Sequence, residues 1–338
     1  MSGAGLDGGK QGSTKMANEP PLLQVEDLTV SFRTQAGLVP AVRGIDFSLT
    51  PGEVLGIIGE SGSGKSTTAR AVMGLYSEQT AVTGGSIRFD GRELVGLDDS
   101  ELREYRGKQI SLVLQDSSRS LNPVMPVGRQ ITEVLRTHFV ITRKEARAQA
   151  IDLLGLVRLP SPTERFDQFP HQLSGGMRQR AMIAMAIACN PRLLIADEPT
   201  TSLDVTTQAR IMELLAALQR DRDMAMILIT HDIALATRYT DRIAVMYAGR
   251  IVEDAISSSL LIEGCMPYTR ALLDSSLSQL REPFTPLPVI GGYPPDMSSL
   301  PVGCAYRPRC SVAFEHCCVS PDLRPIGVRH HVACWRYQ

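Results

Sequence analysis

From Leu22 to Phe32, and again from Ala41 to Leu49, apolar and polar positions alternate one by one. That two-residue period predicts half-buried strands. Between them, Thr34 to Pro40 reads as a turn, and Gly85 to Asp90 as a short strand ending in an Asp-Gly turn. Five further strands are short continuous apolar runs: Val54 to Ile58, Ile110 to Leu114, Leu193 to Ala196, Ala225 to Thr230 and Ile243 to Tyr247. Runs of this kind fit a sheet covered on both faces. Lys65 to Leu75, Asp98 to Arg106, Gly175 to Cys189 and Thr206 to Leu218 carry helical patterns. Strands alternating with helices predict parallel pairing through right-handed crossovers. Residues 116–126 hold Asn122-Pro123 and Pro126 and read as loop. Val127 to about Phe169 is mainly helical, with breaks at Pro160 and Pro162, so residues 116–173 read as a helical block inserted into an α/β core.

The ends differ from the middle. Residues 1–21 are rich in Gly, Ser and Lys and are expected to be disordered. Met16 stands just before the ordered pattern and is a candidate initiator. From about Glu282 the texture changes to Pro, Gly and Cys with little periodicity, which marks 282–338 as a separate segment behind a 22–281 core.

Composition narrows the classes. The 338 residues are 43% apolar and 21% charged, ordinary globular values. Lys and Arg number 35 against 36 Asp and Glu, and the signs are mixed, so nothing points to nucleic acid as the main partner. The longest apolar run, Ala181 to Cys189, is too short to span a bilayer. The N-terminus lacks the apolar core of a signal peptide, so the chain is expected to stay in the cytosol. Five of the seven cysteines fall between 304 and 334, and in a reducing compartment such a cluster reads as metal ligands before disulfides.

The chemistry begins at Gly59-Glu60-Ser61-Gly62-Ser63-Gly64-Lys65-Ser66-Thr67, a G-x-x-x-x-G-K-[ST] loop between a predicted strand and a predicted helix. A polyphosphate must be held close to backbone N–H groups, and Gly59, Gly62 and Gly64 let the chain turn them inward. The following helix adds its positive end. Lys65 would reach the β- and γ-phosphates and the Ser66 hydroxyl would coordinate Mg²⁺. A second site is Asp197-Glu198, two carboxylates ending a buried strand at the mouth of the sheet. Asp197 suits Mg²⁺, and Glu198 suits polarising a water for attack on the γ-phosphate. A third is Ser174-Gly175-Gly176-Met177-Arg178-Gln179-Arg180, where Gly175 and Gly176 open a helix behind the Ser174 hydroxyl and make a second anion site. Two such sites grip one ATP only if a second copy or a partner supplies one of them.

In this order and context the phosphate loop, the Ser-Gly-Gly signature and the Asp-Glu strand resemble the ATP-binding subunits of ABC transporters, over about residues 22–338. The resemblance implies an α/β P-loop NTPase core with an antiparallel β subdomain, an inserted helical subdomain and a small Cys-rich C-terminal extension. It assigns Gln115 as the glutamine that touches Mg²⁺ and the attacking water. It assigns His231 as the histidine that contacts the γ-phosphate, and Ser202-Leu203-Asp204 as the loop crossing a dimer interface. Phe32 matches the family's adenine-stacking ring; read from the residues alone it is a candidate aromatic platform for a flat base, with a core or edge-strand residue as the alternative. The implied mechanism is a dimer of nucleotide-binding domains, each ATP held between one partner's Lys65 loop and the other's Ser174 signature, with Glu198, His231 and Gln115 catalytic. The implied partners are integral membrane permeases, a second ATPase subunit (itself or a paralogue) and an extracytoplasmic solute-binding protein. The place is the cytoplasmic face of the inner membrane. A soluble ABC ATPase acting on nucleic acid or ribosomes is the alternative, and the tandem cassettes or coiled-coil arms of such proteins are not visible.

Gln115-Asp116-Ser117-Ser118-Arg119-Ser120-Leu121-Asn122-Pro123 and Phe169-Pro170-His171 are similar to runs in oligopeptide and dipeptide importers. Cys304, Cys310, Cys317 and Cys334 resemble the four cysteines that can hold an iron–sulfur cluster in that subfamily's C-terminal extension. Four thiolates suit a [4Fe–4S] cluster or Zn²⁺. The gaps of five, six and sixteen residues lean away from zinc ribbons, while His316, His330 and His331 keep zinc open. Tyr306, Phe314 and Trp335 would shield a metal site or form a small core.

Overall fold

The computed structural model describes residues 20–116, 120–201, 203–277 and 290–338. The expected disordered tail, Ser117 to Arg119, Ser202 and the boundary at 282 fall largely or wholly outside these residues. The first sheet is antiparallel: β1 (Leu23–Thr34), β2 (Gly37–Leu49), β4 (Ala81–Phe89) and β5 (Arg92–Glu93), in the order β2-β1-β4-β5. The second has eight strands. Five of them, β9 (Arg242–Tyr247), β3 (Val54–Ile58), β8 (Ala225–Thr230), β7 (Leu193–Asp197) and β6 (Ile110–Val113), lie side by side and parallel, as the apolar runs predict. Helices Val127–His138, Arg143–Leu156 and Pro162–Phe166 fall between β6 and the signature helix, in the stretch expected to be helical.

Strand alternation divides the interior in two. Leu193 and Ile195 of β7, with Ala225, Ile227 and Ile229 of β8, face the antiparallel sheet and the helix that follows the phosphate loop. Leu194, Ala196, Met226 and Leu228 point the other way, onto the inserted helices and the helix Val205–Asp221. Both faces are covered, which is why these strands carry no polar positions in their middle.

Several boundaries differ from expectation. Thr34 to Pro40 is not a seven-residue turn: the strands continue to Thr34 and from Gly37, and Pro40 pairs with Ser31. β2 lies at the sheet's edge, where a missing N–H is tolerated. Pro162 does not break a helix but opens one, as its fixed φ allows at a first turn. The helix foreseen at 98–106 is the single turn Asp99–Leu102 with an Asp98 capping box.

The C-terminal segment is built onto the parallel sheet. Strand β10 (Arg250–Ile256) runs antiparallel to β9, β12 (His330–Val332) pairs with β10, and β11 (Arg324–Gly327) closes the edge. Tyr306, Val332, Ala333 and Cys334 share one buried cluster with Ile58, Val245 and Tyr247 of the parallel core. On β10 sits Glu253, fully buried. Its Oε1 accepts from the Cys265 N–H at 2.7 Å and lies 2.8 Å from Nε2 of His330, and its Oε2 accepts from the Met266 N–H at 3.0 Å.

Candidate nucleotide site

The phosphate loop sits between β3 and the helix Lys65–Val72. Two of its glycines are required by contact. A Cβ on Gly59 would lie 2.2 Å from the Met246 carbonyl oxygen, and one on Gly64 would lie 2.6 Å from that of Ala41. Both also have positive φ, 153° and 105°. The buried Lys65 amine donates to the carbonyls of Gly59 at 2.7 Å and Glu60 at 2.8 Å. Burial pushes its pKa down, against the pull of Glu198, Asp197 and Glu60.

The second sequence motif meets the first. The Ser66 hydroxyl donates to Asp197 Oδ1 at 2.8 Å. Asp197 is buried, and this desolvation raises its pKa, although Ser66 opposes the shift. Glu198 follows with φ +47°, a left-handed conformation unusual outside glycine, at the point where the chain leaves β7. Its Oε2 accepts from Gln115 Nε2 at 2.8 Å and from Thr201 Oγ1 at 2.8 Å, and lies 3.5 Å from His231 Nδ1. The His231 hydrogen bond holds Glu198 below the usual carboxylate range, and Glu198 in turn raises His231.

One open pocket is lined by Ser61, Gly62, Gly64, Lys65, Ser66, Thr67, Gln115, Glu198 and His231, with Ala41 from β2. Residues from five separate stretches of sequence therefore converge. Asp197 stands behind Ser66, and the buried Ser63 lies 3.5 Å from the Lys65 amine.

Two predicted groups are elsewhere. Ser174 caps the helix Gly175–Ala186, its Oγ accepting from the Met177 N–H at 3.3 Å. Ser174 is exposed, and neither it nor Gly175 nor Gly176 lines the pocket. Phe32 is not part of the pocket lining either; its ring packs edge-on against Tyr76, centroids 5.2 Å apart. Cys304, Cys310, Cys317 and Cys334 line one cavity together with Phe314 and Trp335. Burial raises Cys304 and Cys334, and neighbouring thiols of the set add to it. Of the histidines that keep zinc open, His330 lies beside Glu253 and Cys265, the ligand atoms of the three all within 4.8 Å of one another, and not on the cavity of the four cysteines. His316 packs on Trp335, ring centroids 4.3 Å apart.

Sequence reasoning missed Thr201, although its place three residues after Glu198 is a local signal. It also missed Tyr268, whose hydroxyl accepts from the Glu60 N–H at 2.8 Å, and Arg309, which pairs with Glu60 from 249 residues away; no local pattern announces either.

A glycine loop, a lysine, a hydroxyl beside a carboxylate and a carboxylate with a glutamine and a histidine make a site for binding and hydrolysing a nucleoside triphosphate. An ABC transporter family model matches residues 42–201, and the model described as the oligopeptide/dipeptide transporter C-terminal region matches residues 252–317. The oligopeptide transport ATP-binding protein OppD of Bacillus subtilis (strain 168) is 46% identical over 319 residues, 93% of this chain and 88% of that one. OppD of Escherichia coli (strain K12) is 46% identical over 315 residues, 93% of each. Among solved structures, the ATP-binding cassette MJ0796, a dimer in a post-hydrolysis state bound to ADP and Pi, superposes with a TM-score of 0.63. It is 29% identical and covers 70% of this chain and 98% of that one. The chain therefore belongs to the ABC transporter ATP-binding proteins, in the oligopeptide/dipeptide transporter subfamily.

Proposed function

We propose that this ATPase powers the import of oligopeptides. The observation that carries the reading is the match of residues 252–317 to the oligopeptide/dipeptide C-terminal region, in a segment built onto the same sheet as the phosphate loop. In this reading Lys65 and the N–H groups of residues 59–67 bind the phosphates of ATP. Ser66, Asp197 and Gln115 would hold Mg²⁺, whose charge neutralises the phosphate oxygens when bound. Glu198, kept ionised by His231, takes a proton from the attacking water. Gln115 and Thr201 hold the Glu198 carboxylate in place, and His231 faces the transferred phosphoryl group.

Ser174, Gly175 and Gly176 are exposed or half-buried and line no part of this pocket, which supports their use by a second ATPase subunit, a copy or a paralogue. Among the described residues no helix is long and apolar enough to cross a membrane. The partners we assign are membrane permeases on whose cytoplasmic face the chain docks, served by a solute-binding protein on the other side. The four C-terminal cysteines fit a [4Fe–4S] cluster. They share one cavity, yet they are not among the described groups whose ligand atoms lie within 4.8 Å of one another, as ligands of a single ion would. Such a cluster would cross-link the segment.

The test is peptide uptake into proteoliposomes carrying the chain, its permeases and its binding protein. ATP-dependent uptake is expected, with Glu198→Gln lowering turnover at least about 100-fold while ATP binding persists. Uptake of other solutes in place of peptides would refute the cargo; undiminished turnover in Glu198→Gln would refute the base.

A further inference from the structure

Glu60, the second residue of the phosphate loop, is held from outside the cassette. The Arg309 guanidinium, 4% exposed, places Nη1 2.6 Å from Glu60 Oε2 and Nη2 2.9 Å from Glu60 Oε1. This is the two-pronged geometry in which an arginine fixes a carboxylate in both position and plane. Arg309 is itself fixed. Its Nε donates to the Gly291 carbonyl at 2.8 Å, and Nη1 also reaches the Tyr247 hydroxyl at 3.3 Å. The guanidinium carbon lies 5.9 Å from the ring centroids of both Tyr247 and Tyr306.

The link continues in both directions. Inward, the Glu60 N–H donates to Tyr268, and the Glu60 carbonyl is one of the two that hold the Lys65 amine. Outward, Arg309 ends the short 3₁₀ turn Arg307–Arg309. The Arg307 N–H donates to the Cys304 carbonyl at 2.9 Å, and the Cys310 N–H donates to the Arg307 carbonyl at 3.2 Å. Two cysteines of the set thus bracket the turn that carries Arg309. From the cysteine turn to the lysine that binds phosphate there are two side chains, Arg309 and Glu60.

We propose that Arg309 is a positioning residue for the phosphate loop, through which the placement of the Cys304–Cys310 turn sets the affinity of the site for ATP. The proposal rests on the ATP pocket and is independent of what the cysteines hold. Arg309 lines no part of the nucleotide pocket; it acts by holding Glu60, and with it the carbonyl that anchors Lys65. Loosening the turn frees Glu60 to leave this position, and the loop samples shapes that bind phosphate less well.

The experiment measures the Kd of a fluorescent ATP analogue and the kcat at saturating ATP for the full chain and its variants. Arg309→Gln is expected to raise Kd about 5- to 10-fold with kcat within about 2-fold, and Glu60→Gln to raise Kd by a similar factor, a typical size for coupling between sites. The double variant is expected to bind no more weakly than either single one, because both remove the same link. Arg309→Lys should recover part of the loss. If Arg309→Gln fails to fold, Arg309→Lys, which keeps the charge but loses the two-pronged contact, carries the test together with Glu60→Gln. Unchanged affinity in Glu60→Gln, or additive losses in the double variant, overturns the link while leaving the ATP site standing.

Discussion

Glu253→Ala is expected to be among the most damaging single substitutions outside the nucleotide pocket. Glu253 is fully buried on β10 and receives three donors: the N–H groups of Cys265 and Met266, and Nε2 of His330 on β12. Truncation deletes all three acceptor contacts. A buried donor left without a partner costs about 1–3 kcal/mol. Met266 and His330 are themselves buried, whereas Cys265 is partly exposed and its N–H can find water. Two full penalties and one partial one give a loss of about 3–5 kcal/mol. Glu253→Gln keeps one carbonyl oxygen but turns an NH₂ toward a donor, so roughly half that loss is expected. Urea unfolding followed by Trp335, the single tryptophan, reads the transition where the damage occurs. Cys265 provides a second readout, because its thiol should react faster with a colorimetric reagent once its backbone is released. An unfolding free energy for Glu253→Ala within about 1 kcal/mol of the natural chain would refute the reasoning. It would mean that water replaces the carboxylate at no measurable cost.

Other expectations concern the pocket. Gly59→Ala pushes a methyl group against the Met246 carbonyl, whereas Gly62→Ala meets open space and strains only its φ of +80°. Thermal melts should therefore show Gly59→Ala as the costlier by about 2 kcal/mol or more, with loss of ATP binding, and equal melts would argue against the loop geometry. Ser174→Arg should leave ATP binding by the isolated chain within about 2-fold but abolish turnover, because Ser174 lines no part of this chain's own pocket. The Glu198–His231 contact should stabilise the fold most between about pH 4.5 and 6.5. Its contribution falls below that window as Glu198 is protonated past its lowered pKa, and above it as His231 loses its proton past its raised one. His231 is 59% exposed, so the difference between the natural chain and His231→Ala, measured by denaturation across pH, should stay under about 1 kcal/mol.

The nucleotide half of this molecule is legible in the sequence because its signals are local. Each of β3, β7 and β8 is an apolar run with its functional residue at or just beyond the end: Gly59, Asp197 and His231. Runs of that kind show both where the strand stops and which residue reaches the rim of the sheet. The C-terminal half is legible only in its cysteines. Strands β11 and β12 have four and three residues, too few to display a period; β12 is placed by pairing with β10 some eighty positions earlier, and β11 by pairing with β12. Tertiary pairs such as Glu60–Arg309 and Glu253–His330 join residues that carry no mark of each other. Pro40 misled for a different reason, since proline signals a turn unless the strand happens to be an edge.

Lys65 does something besides carrying charge. Its amine closes a ring with the carbonyls of Gly59 and Glu60, so the loop is tied by its own side chain. Ordering a backbone residue costs about 1–2 kcal/mol, and a slack loop of several residues would subtract that cost from every binding event. Here the cost is met once, when the chain folds, and the ligand meets a shape already made. The lysine is in that sense a strut, and its length matters as much as its charge.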